Sequence, residues 1–408
     1  MRRTLLPVAA AMAAVLVAMA VAWALTRSDD DPVDAVAAPP ETTPTTEPAP
    51  TTTTTEPGPA ESGDDELDEA VEELSAFVEE ERGLEFLEPV EVELADDEEF
   101  ERFLLEDFEA EDEQEIRDSE AIFQALGLID PDVDLVEQVR GFLAVGVVGA
   151  YDPEDDRLLV RSTELTPYTR QTIAHELTHA LDDQHFELFR PELDDVDDES
   201  GFGFDAVTEG NATRIDEAFE SELSPEERDE LREEEAAVGS EADFGEFPEI
   251  LINLIAAPYD LGPVLVEAIL DDGGQEALDA AFEEPPTTSE QVLDPTRFLE
   301  GEGAVPVDVP EADGEPFDDG MFGQLVLILL LENGGVSVED AQRAVLGWGG
   351  DQYVAWREGE RTCIRVAFAT DTPADLPELT ASLEDWAAAQ PDATVTPSSD
   401  LVTFTSCG

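Results

Sequence analysis

Apolar positions recur at helical spacing over most of the chain and change to alternating or continuous runs in two regions. Leu67, Val71, Leu74 and Phe77 form a stripe down one side of an acidic helix starting near Asp64. Similar spacing predicts helices over 97–109, 114–127, 204–222, 225–238, 247–257, 260–271 and 274–283. Pro285-Pro286 then breaks the pattern, and apolar helices follow at 322–331 and 338–345. The first change falls between Gly141 and Ser162. Phe142–Tyr151 is apolar and β-branched, 152–156 carries turn residues, and Leu158–Arg161 is a short apolar run, which together predict a β-hairpin. The second lies in the tail, with strands near 353–357, 362–369 and 393–405 around a helix at 377–389. Thr166-Pro167 opens a helix running to about Phe186, because threonine caps and proline is preorganised for the first helical position. The expected class is α+β and mainly helical.

The ends of the chain read differently. Arg2 and Arg3 precede an uncharged apolar run, Leu5–Leu25, long enough to span a hydrocarbon core. Arginines held in the cytoplasm place the remainder outside it. Residues 1–26 are therefore a signal anchor or, if Ala22-Trp23-Ala24 is cut near Ala24, a signal peptide of a secreted chain. Residues 27–62 are rich in Pro, Thr and Glu and lack the apolar side chains of a core, which makes a disordered stalk. The rest divides into a helical N-terminal part (63–130), a central core (131–300) and a C-terminal α/β part (301–408). The expected location is extracytoplasmic, with the membrane engaged only through the N-terminal helix.

Charge narrows the partners. The chain has 103 acidic residues against 19 basic, a formal net charge of -84, and every basic residue is arginine. Such a surface repels nucleic acid and anionic headgroups and is best behaved where salt screens it, as in a salt-adapted (halophilic) proteome. No segment carries a full calcium-loop pattern. Cys363 and Cys407, the sole cysteines, lie in predicted strands and are expected to pair outside the cell.

The three histidines, His175, His179 and His185, fall within eleven residues. Residues four apart on a helix lie about 40° from one another, so His175 and His179 can hold one ion between two imidazole nitrogens. Glu176 can then face a water on that ion, take its proton and pass it to a leaving amine. This is the physical content of His-Glu-x-x-His, and zinc is the metal it suits. The flanking Thr172, Ile173, Ala174, Leu177, Thr178 and Ala180 are uncharged, which in so acidic a chain marks a half-buried helix. Two residues compete for the third ligand. His185 has the spacing of a third histidine but lacks the turn glycine, Asp182 standing there. Glu209, with small neighbours Gly210 and Ala212 that let helices approach, is the favoured choice. Asp205 and Thr213, four residues either side of Glu209, are candidates to accept a ligand histidine's other N–H.

The stretch from His175 to Phe186, followed by Glu209-Gly210-Asn211-Ala212-Thr213, resembles a group of bacterial zincin-like metallopeptidases related in motif to the gluzincins. Weaker similarity continues in Pro258-Tyr259, in Pro285–Leu293 and in Gly347–Tyr353, over about 135–370 in all. The resemblance implies a zincin-like core, zinc held by His175, His179 and Glu209, and Glu176 as base. Asp294 and Asn211 depart from the family's usual histidine and aspartate, so no role is carried to them. A zincin presents an edge strand to an extended peptide; Leu158–Arg161 is the candidate, preceding the motif helix. Tyr259 is the candidate for stabilising the oxyanion. The expected function is extracytoplasmic zinc-dependent hydrolysis of a peptide or protein substrate. The alternative is a zincin-fold envelope protein that binds peptide or cell-wall partners without cutting them.

Overall fold

The computed structural model describes residues 63–408 except 106–107, 109, 154–155, 191–192, 194–197 and 242–243. The apolar run Leu5–Leu25, the stalk 27–62 and the tip of the 152–156 turn lie outside the described residues. The chain is α+β and mainly helical. A three-stranded sheet and its helices build the region of the histidines, and a five-stranded antiparallel sheet follows towards the C-terminus.

The first helix, α1 (Gly63–Arg82), packs on the motif helix and leads to β1 (Val92–Ala95). Helices α2 (Asp97–Leu104), α3 (Ala110–Leu126) and α4 (Leu135–Gly146) precede the hairpin of β2 (Gly149–Asp152) and β3 (Arg157–Arg161). The first half of the strand expected over Phe142–Tyr151 is helix. Asp134 caps α4 by accepting from the Glu137 N–H, and Leu135, Val136, Val139, Phe142, Leu143 and Gly146 make one buried face. Only the last residues of that run are free to extend as β2.

Strand order is β1-β3-β2, with β1 parallel and β2 antiparallel to β3. Leu158–Arg161 therefore sits in the middle of the sheet, paired on both sides, and is not the edge strand expected of it. The free edges are β1 and β2. Strand β1 is short and flanked by Glu91, Asp96 and Asp97, and its pairing to a strand 66 residues downstream (Val92 with Leu158) has no local signal.

The motif helix α5 (Pro167–Phe186) starts as the sequence dictates. The Thr166 side chain accepts from the Thr169 N–H, a cap that contributes about 1 kcal/mol, and Pro167 follows. It ends at Glu187, whose φ of 57° is left-handed. Helix α6 (Asp198–Glu222) crosses it, and α7 (Pro225–Glu241) packs against its side. Helix α8 (Glu249–Glu283) replaces the three short helices expected there. It runs through Pro258 and Pro263, packs along α6, and departs from helical geometry only at Gly274 (φ 67°). By length and composition it could cross a membrane, but half of its apolar window is buried within the protein.

After α9 (Ser289–Leu293) and α10 (Pro295–Glu300), where Asp294 caps α10 through the Thr296 N–H, the chain forms β4 (Glu315–Gly320), α11 (Gln324–Asn333) and α12 (Val338–Val345). Strands β5 (Trp348–Glu358) and β6 (Arg361–Thr370), helix α13 (Leu376–Ala389), and strands β7 (Thr394–Pro397) and β8 (Leu401–Cys407) complete it. The sheet order is β4-β5-β6-β8-β7. The single strand expected over 393–405 is two, turning at Pro397–Leu401. Cys363 and Cys407 are directly opposed on β6 and β8 and form a disulfide.

One buried carboxylate in this sheet makes stability depend on pH. Asp318 on β4 accepts the Tyr353 hydroxyl at 3.0 Å. Burial pushes its carboxyl from 3.8 up to about 7, against the pull of the Tyr353 bond and with a further push from Asp118. The folded chain thus binds a proton at Asp318 that the unfolded chain has lost between about pH 4 and 7. This contribution is favourable at the acid end and is lost as pH rises through that window. Asp318→Asn should remove the slope, so the variant's melting temperature relative to wild type should be higher at pH 8 than at pH 5. Equal declines in both proteins, measured in high salt, would place the slope elsewhere.

Candidate metal centre

Helix α5 carries His175, Glu176 and His179, and α6 carries Glu209. All four are buried, His175, Glu176 and His179 at 1% exposure and Glu209 at 3%. Burial follows from the flanks read in the sequence. Ile173, Ala174, Leu177, Ala180 and Leu181 pack α5 into an apolar cluster with Leu158, Val160, Ile215 and Phe219. Helix α6 is held close by α8, because Gly210 lies against Gly262: a Cβ on Gly210 would meet the Gly262 carbonyl carbon at 2.3 Å. The small residue beside Glu209 therefore does admit a neighbouring helix, which is α8.

The ligand atoms converge. The Glu209 Oε2 atom lies 3.3 Å from His175 Nε2 and 3.4 Å from His179 Nε2. Tetrahedral zinc with bonds of about 2.0–2.1 Å separates neighbouring ligand atoms by roughly 3.3 Å. Both nitrogens of His179 are buried without a hydrogen-bond partner among the described residues, a cost that an ion at Nε2 would relieve. His175, His179 and Glu209 thus form a group that could hold a metal ion, and the donor set and spacing fit zinc.

His185 is not part of this group. Its Nε2 atom lies 2.9 Å from the Glu85 carbonyl oxygen, in the last turn of α5. Asp182 stays helical, so the chain does not turn back to bring a third histidine inward. Asp216, on α6, partners a ligand histidine, with its Oδ2 2.8 Å from His175 Nδ1. It sits seven residues after Glu209, two turns along the same helix face, one turn beyond the Thr213 considered from sequence. That contact orients the ring and leaves Nε2 for the ion. Burial opposes charge on His175, but Asp216 and Glu209 outweigh it and hold the pKa well above 6.5.

Glu176 faces the sheet. A Cβ on Gly149, the first residue of β2, would lie 2.6 Å from Glu176 Oε1, so only glycine leaves the carboxylate room there. Burial pushes its carboxyl up to about 7 against the pull of His175 and His179. Its Oε2 atom has no partner among the described residues. Tyr259 enters from α8, its ring stacked on His175 at 6.4 Å between centroids. The hydroxyl is buried with no hydrogen-bond partner among the described residues, and burial with the charges of Glu209 and Glu176 keeps the phenol protonated.

The other departures from the resemblance are structural. Asn211 donates to Asp182 Oδ2 at 2.7 Å. The Glu358, Cys363 and Cys407 cluster offers no second metal site, since its sulfurs are joined in the disulfide. A scan against models of known protein families finds no match for this chain, and neither do searches of curated proteins and of solved structures.

Proposed function

We propose that the chain is a zincin-like, zinc-dependent metallopeptidase acting outside the cytoplasm. The observation that carries this reading is the convergence of Glu209 Oε2 on the two histidine nitrogens at 3.3 and 3.4 Å, with Glu176 beside them. A bound zinc ion would supply Lewis acidity to a water and to a substrate carbonyl. Glu176, whose Oε2 has no partner among the described residues, takes the proton from the attacking water and hands it to the leaving amine. Tyr259, protonated and with its hydroxyl unpartnered among the described residues, donates to the developing oxyanion. Asp216 holds the His175 ring. Strand β2, an edge strand whose Gly149 abuts Glu176, is the element against which an extended peptide would lie. The four side chains lie under the surface, so turnover requires the walls around them to part.

The purified full chain, loaded with zinc and dialysed, should retain about one zinc per chain and cut members of a peptide library at high salt. A chain that takes up no zinc ends the enzyme reading. A zinc-loaded chain that cuts nothing favours a protein that binds peptide without hydrolysing it.

A further inference from the structure

The last residue of α1 carries its charge into the protein interior. Arg82 is fully buried. Its Nε donates to Asp182 Oδ1 at 2.7 Å, and its Nη1 donates to Asp279 Oδ1 at 2.7 Å and to Gln275 Oε1 at 3.0 Å. The guanidinium carbon lies 5.4 and 5.3 Å from the ring centroids of Phe186 and Phe282. One guanidinium therefore joins α1, α5 and α8.

Asp182 extends the connection to the fourth helix. With Oδ1 taken by Arg82, its Oδ2 accepts from Asn211 Nδ2 at 2.7 Å. The orientation of that amide is fixed from its other side, because Arg214 Nη2 donates to Asn211 Oδ1 at 3.1 Å. Asp182 stands three residues after His179, one turn along the same face of α5. Asn211 stands two residues after Glu209. A single carboxylate thus ties the helix of the two histidines to the helix of the glutamate, within a turn of the ligands.

We propose that Arg82 is a positioning residue for the metal centre, fixing through Asp182 and Asn211 the spacing of the two helices that supply the ligands. This rests on the zinc reading given above. The chemistry supports position over mere cohesion. A buried ion pair adds little stability compared with apolar side chains of the same volume, but it dictates geometry through its directed bonds. Asp182 has lost its solvent, and Arg82 and Asn211 occupy one oxygen each in its place. A glutamate oxygen 3.3 and 3.4 Å from two histidine nitrogens on another helix needs a fixed spacing between the two helices. Helix α1 is then one jaw of a clamp on the centre.

The test measures zinc affinity of the full chain by competition with a chelator, and the visible absorption of its cobalt(II) form, which reports ligand geometry. Arg82→Met keeps a long side chain between the two phenylalanines and removes the directed bonds. It should weaken zinc by about 10- to 100-fold, the range seen when partners of metal ligands are lost, and alter the cobalt spectrum, in protein whose metal-free form still unfolds cooperatively. In an Asp182→Asn background the same substitution should cost little more, because the two act as one unit. If Arg82→Met does not fold, Arg82→Lys serves, since one ammonium cannot reproduce a fork spread over Asp182, Asp279 and Gln275; it should still lose zinc several-fold. Wild-type zinc affinity and cobalt spectrum in whichever folded variant is available would overturn the clamp while the zinc reading stands. Losses that simply add in the double variant would overturn it too. A wild type that binds no zinc overturns both.

Discussion

Glu176→Gln should keep the zinc and the fold and lower peptide hydrolysis by about 10² to 10⁴, the usual worth of a general acid–base group. The side chain is buried against Gly149, where there is no space for anything larger, and glutamine has nearly the same shape. Packing of α5 against β2 should therefore survive. What is lost is the ability to accept a proton. The amide cannot deprotonate the attacking water, and it has no proton to pass on to the leaving amine. In the proposed reaction both halves depend on the Glu176 carboxylate, whose Oε2 atom has no hydrogen-bond partner among the described residues. The measurement is kcat on a peptide found by library screening, alongside zinc content and a thermal melt of the same preparation. A glutamine variant that cuts at near the wild-type rate would show that another group is the base. A variant that also loses zinc would show that Glu176 belongs to the ligand set.

The centre was legible because its parts are local. His175, Glu176 and His179 share one helix whose cap, Thr166-Pro167, and whose uncharged flanks can be read without knowing any other element. Glu209 was reachable because the small residue after it, Gly210, announces a close helix contact. The residues that complete the site were not legible, because their meaning depends on distant partners. Asp216 is one carboxylate among 103 until α6 is laid across α5. Arg82 closes an acidic surface helix, and nothing near it in the chain foretells that its guanidinium will meet Asp182, a hundred residues on. The same holds for the sheets. Phe142–Tyr151 was read as a strand because its apolar run is continuous. The helical period is set from Leu135 onward, by a capped helix the hairpin reading did not include. Strand β4 was missed because Glu315–Gly320 lacks β-branched residues and contains proline, a composition that suits a sheet edge and gives little period-2 signal.

Glu209→Ala should empty the centre, and His185→Ala should leave it as it was. The two were rivals for the third ligand on sequence spacing, and the structure separates them by place. Glu209 Oε2 stands within 3.4 Å of both histidine nitrogens. Its carboxyl is held below the usual range, since His179 and His175 outweigh the opposing effect of burial and keep it charged, as a ligand must be. Removing it leaves two imidazoles, too few to close a zinc site. Zinc affinity should then fall by more than the roughly 10- to 100-fold typical of residues that only support a ligand. Glu209→Gln, which keeps the shape and removes the charge, should fall in the same direction and guards against a packing defect at the α6–α8 contact. His185, by contrast, faces the Glu85 carbonyl at the end of α5. Its loss frays a helix terminus and the loop beside it, a change within about 1 kcal/mol, and should not touch metal content. The check is zinc per chain after dialysis against a graded series of chelator. Retention by Glu209→Ala together with loss by His185→Ala would mean that the end of α5 folds back on the centre in solution and that the glutamate is not its third ligand.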